Sequence, residues 1–147
     1  MNFTQSIFGI EAPKFVDQDN NEVELDYVVI LEDRPVKDII RNESIVNRHR
    51  EWTVLGSHWI YRIIVHLFKY GEQAQTKYNE LKALERKLVT LYRRRDGLPM
   101  KDAGGNDILF LLESVDETYI DTVDYPDVLR LTFKSQDYVV VEDSALS

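Results

Sequence analysis

The chain has 147 residues, of which 44% are hydrophobic and 30% are charged, and its 26 acidic side chains outnumber its 18 basic ones. The net charge of −8 argues against a protein that binds duplex nucleic acid, because such a protein needs a positive surface to displace counterions. No cysteine is present, so disulfides and thiolate metal sites are excluded. Length and apolar content predict a single domain over residues 1–147.

The first part of the chain, residues 1–21, is predicted to be an extended arm that ends in a hairpin. Phe15 and Val16 precede the polar run 17–21, and an apolar strand begins near Val23. Asp and Asn favour such a turn because their side chains bond to nearby backbone N–H groups. The N-terminus lacks a basic segment and a long apolar run, so no signal peptide is expected, and no segment has the length needed for membrane insertion.

Residues 22–32 are predicted to form a strand. Apolar residues first alternate with polar ones and then become continuous, as in a strand buried on both faces. Pro35 is expected to end this strand, since proline lacks the N–H group that a sheet requires. Residues 36–43 stay ambiguous, because Val36, Ile39 and Ile40 have helical spacing in a segment too short for a stable helix.

The central prediction is a tight hairpin over residues 52–68, with Gly56 and Ser57 as its turn. Glycine suits the first position of a type II′ turn because that position requires a positive φ. This register pairs Leu55 with His58 and Trp52 with Tyr61. One face then collects the large apolar side chains, which are Val46, Trp52, Val54, Trp59, Tyr61, Ile63, Val65 and Leu67.

An amphipathic helix is predicted over residues 72–87, where Ala74, Tyr78, Leu81 and Leu84 form a single stripe. Further strands are predicted over residues 88–93, 108–115, 128–134 and 138–141, followed by a short tail over 142–147. The predicted fold class is α+β, mainly antiparallel β. Residues 22–141 would form a β-sandwich or barrel-like sheet with the one helix packed against it.

Asp17, Asp19 and Asn21 are spaced like the first ligands of a calcium-binding loop. However, Glu22 stands where such a loop requires glycine, and Val28 stands where it requires a bidentate glutamate. An ordinary turn is therefore the favoured interpretation.

The three histidines do not indicate a metal site. His58 and His66 would lie about 26 Å apart on one strand. His49 and His66 become diagonal neighbours in the predicted hairpin, but Glu51 is the only carboxylate beside them. No metal and no cofactor are expected, and no spacing indicates a catalytic set.

The dense basic run Arg93-Arg94-Arg95 has three interpretations: a solvated strand end, a weak phosphate clamp, or a set of cations that pair with acidic loops of a neighbouring subunit. The first and third are about equally favoured. The acidic loops are residues 96–106 and 116–127, which are long for a domain of this size. The candidate subunit-interface residues are Arg93, Arg94, Arg95, Asp96, Asp102, Asp116, Asp121 and Asp124.

The order of elements over residues 22–141 resembles the β-sandwich-plus-helix module of tailed-bacteriophage tail proteins, which include tube, tube-terminating, distal-tail and baseplate components. The resemblance is one of pattern, and residues 1–32 have no counterpart in it. It implies a non-enzymatic virion structural protein, assembled in the host cytoplasm. Copies would form a ring, commonly hexameric, around the DNA-conducting channel and bind adjacent tail proteins.

Two alternatives come from other classes of protein. A small enzyme or ligand-binding protein would have an aromatic pocket between sheet and helix, lined by Trp52, Trp59, Tyr61 and Tyr78. Their spacing favours core positions over a pocket. An adaptor would instead bind a partner strand at an exposed sheet edge.

Overall fold

The computed structural model describes residues 12–44, 49–121 and 124–141, and the side chains of these residues except 40–44 and 49–54. Seven strands are present in this part of the chain: β1 (Lys14–Asp17), β2 (Glu22–Glu24), β3 (Val28–Ser44), β4 (His49–His66), β5 (Leu88–Tyr92), β6 (Leu109–Thr118) and β7 (Val128–Ser135). A 3₁₀ segment (Leu67–Gln73) leads directly into the helix α1 (Ala74–Lys82).

The strands form one antiparallel sheet in the order β2-β1-β5-β6-β7-β4-β3. The sheet curls strongly, because Phe15 of β1 stacks on Phe133 of β7 with ring centroids 4.5 Å apart although two strands separate them. Tyr61 of β4 meets the edge of Phe15 at 6.3 Å. The predicted mainly antiparallel fold with one packed helix is confirmed. The sheet curls like a barrel without closing, with β2 and β3 at its two edges.

The core lies on the concave face of the curled sheet. Along β7, for example, Leu129, Leu131 and Phe133 are buried and the residues between them are more accessible, as period-two alternation predicts. Leu81 and Leu84 cover this core from the helical side. The helix is shorter than the predicted 72–87, since α1 ends at Lys82. The left-handed backbone of Arg86, with φ of 66°, excludes continuation to residue 87.

The predicted first hairpin is present as β1 and β2. Asp17 Oδ1 accepts hydrogen bonds from the backbone N–H groups of Asp19 and Asn21, both at 2.9 Å, and Asn20 takes the left-handed conformation that the turn needs. In contrast, the strand predicted over residues 138–141 does not form.

The predicted turn at Gly56–Ser57 is wrong. Both residues lie inside β4, a single strand of 18 residues that pairs with the 17 residues of β3. Leu55 and Gly56 form a β-bulge, because Asp38 pairs with Gly56 whereas Ile39 already pairs with Val54. A glycine within apolar residues suits a bulge as well as a turn.

The cross-strand pairs change accordingly. Tyr61 pairs with Asp33, and Trp52 pairs with Arg41. The core-facing positions predicted for Tyr61, Ile63, Val65 and Leu67 are confirmed, since all four are fully buried. Val46 lies outside the described residues, as do the side chains of Trp52 and Val54, so their predicted positions remain predictions.

Pro35 does not end the strand as predicted. It lies within β3 opposite Trp59, and β3 is an edge strand, where a missing N–H group is tolerated. The ambiguous residues 36–43 therefore belong to the same strand.

We expect Phe133→Ala to lower the free energy of unfolding by about 3–5 kcal/mol, because it removes the ring that stacks on Phe15 inside the curl. Urea denaturation measures this change. Phe68→Ala is the matched control, since the Phe68 side chain is half-exposed and should cost much less. Equal losses would contradict the assignment of the core to the concave face.

Candidate assembly surface

The longest structural feature is the part of β3 and β4 that extends beyond the sheet. The pairing of β4 with β7 begins at Ile60, whereas its pairing with β3 continues outward as far as Ser44 and His49. Residues 34–44 and 49–59, here called the ribbon, therefore have only each other as strand partners within the described chain. At about 3.3 Å per residue the ribbon extends roughly 35 Å. A two-stranded hairpin without further packing is only marginally stable in water.

Two apolar side chains lie exposed near the middle of the ribbon, beside the bulge of β4. Ile39 is 49% and Leu55 46% accessible, so neither packs into the core.

The two open edges of the ribbon differ in their backbone hydrogen-bonding groups. On the β4 side, Trp59 N–H donates to Ser135 Oγ at 3.0 Å and thus points away from β3. Its partner Pro35 consequently turns its nitrogen to the open edge of β3, which therefore lacks a donor at that point.

Asp33 connects the ribbon to Arg93, which follows β5 on the other side of the curled sheet. Its carboxylate accepts a hydrogen bond from Trp59 Nε1 at 2.7 Å and two from the guanidinium of Arg93, at 2.6 and 2.9 Å. The Arg93 guanidinium also lies 5.5 Å from the centroid of the Trp59 ring. Hydrogen bonding to Asp33 raises the pKa of Arg93 above its ordinary value. Because Arg93 follows β5 and Asp33 belongs to β3, this cluster bridges strands that are not neighbours in the sheet.

The structure separates the three arginines of the basic run. Arg95 forms ion pairs with Glu24 at the end of β2 and with Asp26 in the connection between β2 and β3, so it too is held within its own chain. Arg94 points elsewhere, with 60% of its side chain exposed and only its loop neighbour Asp96 within reach, at 3.7 Å. Arg93 and Arg95 are thus engaged inside the chain and Arg94 is not, although all three follow the end of β5.

The acidic candidates divide between the two ends of the sheet. Asp96 and Asp102 lie in the loop that follows β5, near the base of the ribbon. Asp116 lies on β6 opposite Arg130, and Asp121 and Asp124 are exposed in the β6–β7 connection at the other end. The eight predicted interface residues do not form one surface of a single copy, and their role between subunits remains a prediction.

Asp102 organises its own loop. Oδ1 accepts the backbone N–H groups of Gly104 and Asn106, both at 3.0 Å, and Oδ2 accepts that of Val140 at 3.1 Å. These bonds hold the pKa of the Asp102 carboxyl below its ordinary value, and the bond from Val140 contributes most.

The sequence analysis did not identify two carboxylates that organise polar contacts, Asp127 and Glu117. Asp127 is only 4% exposed, and its Oδ2 accepts the N–H groups of Ile120 and Asp121 at 2.6 and 2.9 Å, which orders the β6–β7 connection. Glu117 accepts the hydroxyl of Tyr78 at 2.8 Å. Burial, followed by this bond, raises the pKa of Tyr78. The position of Asp127 just before an apolar strand was the available signal.

Three of the four aromatic residues proposed to line a pocket serve separate purposes, and the side chain of the fourth, Trp52, lies outside the described part of the structure. Tyr61 is fully buried beside Phe15 and Phe133, Trp59 packs under Arg93, and Tyr78 binds Glu117. A shallow surface cavity of about 270 Å³ lies elsewhere, between the Asp102 loop and residues 135–140.

The histidines are spread along one strand. His49 and His66 are the first and last residues of β4, so the predicted diagonal approach between them is wrong. Within the described residues, no group of three or more His, Asp or Glu side chains is arranged to hold a metal ion. In the same part of the chain, no helix combines the length and apolar character needed to cross a membrane.

We expect Asp33→Ala to lower the free energy of unfolding by about 1–3 kcal/mol, because it leaves Trp59 Nε1 without its acceptor. Arg94→Ala, at an exposed position of the same basic run, should change stability by no more than about 0.5 kcal/mol. Chemical denaturation of both variants tests the difference. If Asp33→Ala lowers the free energy of unfolding no more than Arg94→Ala does, the contacts of Asp33 with Trp59 and Arg93 do not stabilise the curled sheet.

No family model matches this chain, and no curated protein matches it. Among solved structures, the chain is similar to a chain of the PVC sheath-tube complex in its extended state, an extracellular contractile injection system. The match has 14% sequence identity and a TM-score of 0.37, and covers 89% of this chain and 88% of that one. At these values the similarity assigns neither a family nor a function.

Proposed function

We propose that this chain is a non-enzymatic structural protein that assembles with copies of itself, and that a neighbouring copy completes the ribbon. The observation that carries the proposal is the ribbon, whose two strands pair only with each other over residues 34–44 and 49–59 within the described chain. Such a feature gains stability when a further strand or surface covers it. The exposed Ile39 and Leu55 near the middle of the ribbon provide apolar area for that contact.

The two ribbon edges suggest the geometry of assembly. One edge belongs to β3 and the other to β4, so pairing of unlike edges gives a heterologous contact. Repetition of a heterologous contact produces either a closed ring or an open filament. In a ring, every copy uses both edges and leaves no ribbon unpaired.

The finer proposal is a ring subunit of a phage tail or baseplate, which binds adjacent tail proteins of the virion. Its support is the sequence pattern over residues 22–141 and the net charge of −8. A negative surface around a channel would repel DNA phosphates and let the genome pass without binding.

We expect Ile39→Ser combined with Leu55→Ser to reduce assembly while leaving the core intact, because both side chains are exposed in the free chain. Sedimentation velocity over a concentration series measures assembly, and urea denaturation reports on the core. The matched control is Leu98→Ser with Ile120→Ser, which removes two exposed apolar side chains from the loops. Reduced assembly in the loop variant alone would place the contacts in the loops and contradict the ribbon proposal.

Arg94 is the arginine of the basic run that we expect to pair with an acidic loop of another copy, since Arg93 and Arg95 bind within their own chain. Arg94→Ser should weaken assembly more at low salt than at high salt, because exposed ion pairs are screened. Arg86→Ser, at an exposed arginine before β5, is the control. Equal effects of the two variants would show that Arg94 is merely solvated.

A further inference from the structure

The chain continues past β7 as a segment that crosses the base of the ribbon. Residues 136–141, here called the strap, leave the sheet after Ser135. The Ser135 hydroxyl accepts Trp59 N–H and donates to the Asp137 carbonyl at 2.9 Å, which bends the chain toward β4. Val139 N–H then donates to the Ser57 carbonyl at 2.8 Å. The strap therefore follows the open edge of β4 at the point where the neighbouring strand β7 has ended.

A second set of bonds fixes the strap from its other side. Val140 N–H donates to the Asp102 carboxylate, and Ala103 N–H donates to the Val140 carbonyl at 3.0 Å. Asp102 is itself held by the N–H groups of its loop. The strap thus links the β5–β6 loop to the ribbon.

Tyr138 occupies the place where a side chain at residue 56 would be. A Cβ atom on Gly56 would lie 2.5 Å from Cγ of Tyr138, and the φ of Gly56 is +154°. The ring also lies beside His58, with centroids 4.7 Å apart. His58 in turn faces the carboxylate of Asp38, the residue that pairs with Gly56.

This contact falls on the bulge of β4. A bulge leaves one residue unpaired and bends the strand that contains it, so it is the place where the ribbon can change direction relative to the sheet. Ring contact at Gly56 and the bond at Ser57 both act at this bend.

We propose that Tyr138 is a positioning residue that fixes the direction of the ribbon, so that each copy presents the ribbon to its neighbour in one orientation. The consequence for assembly rests on the proposed function, whereas the positioning itself does not. Fixing the ribbon before contact lowers the entropy lost on association, which is the general advantage of a preorganised surface.

The absence of native cysteine allows the ribbon direction to be measured. Asn42→Cys in the ribbon and Thr76→Cys on α1 carry nitroxide labels, and pulsed electron paramagnetic resonance gives their distance distribution. Labelled chain diluted in excess unlabelled chain reports only distances within one copy. We expect a single narrow distribution for the otherwise native chain.

Tyr138→Ala should broaden this distribution, whereas Tyr138→Phe, which keeps the ring, should not. Gly56→Ala should broaden it as Tyr138→Ala does, because the added Cβ displaces the ring. Tyr138 is 48% exposed, so its replacement should leave the core folded, which urea denaturation verifies. An unchanged distribution in folded Tyr138→Ala overturns the inference, even if Gly56→Ala fails to fold.

Sedimentation velocity of the same variants separates this inference from the proposed function. Broadening with weaker assembly in Tyr138→Ala supports both. Broadening in Tyr138→Ala, when the otherwise native chain itself stays monomeric at every concentration, supports the positioning role and contradicts the proposed function. Normal assembly with an unchanged distribution contradicts the positioning role alone.

Discussion

The stack of Phe15 on Phe133 is the contact on which the remaining structure depends. It joins β1 and β7, the first and last strands along the described chain, across the interior, so a sheet with two free edges becomes a curled body around one core. The curl also brings the end of β5 close to β3, which is what allows Arg93 to reach Asp33. The polar bridges therefore close a gap that the aromatic contact has already made narrow, and they add specificity more than energy.

The curled body and the ribbon differ in how well their backbone groups are satisfied. In the body, each central strand has two partners, and the side chains of the concave face are buried. In the ribbon, each strand has one partner, and exposed apolar residues lie near the middle. Regions of this kind open at lower free energy than the core. Contacts made by such a region can form without disturbing the core.

Sequence patterns predicted the parts of this fold that local chemistry determines. Alternation located β7, and the Asp-Asn run located the first turn, because each signal has one usual structural meaning. Gly56 has two possible meanings, a turn or a bulge, and the Tyr138 ring that lies against it in the bulge is distant in sequence. The prediction that Pro35 ends its strand was wrong for a similar reason, since proline can also lie within an edge strand. The partners of Arg93 and Arg95 depend on the curl, so no local pattern could assign them.

Pro35 has a consequence for the chain before it meets a neighbour. A long exposed strand is a template on which identical chains can pair without limit, in any register. The missing donor in the open edge of β3 interrupts that template near the curled body, and the adjoining Arg34 and Lys37 place charge beside it. An edge interrupted in this way would resist unlimited pairing with identical chains. The residue predicted to end the strand is thus one that limits what the strand can pair with.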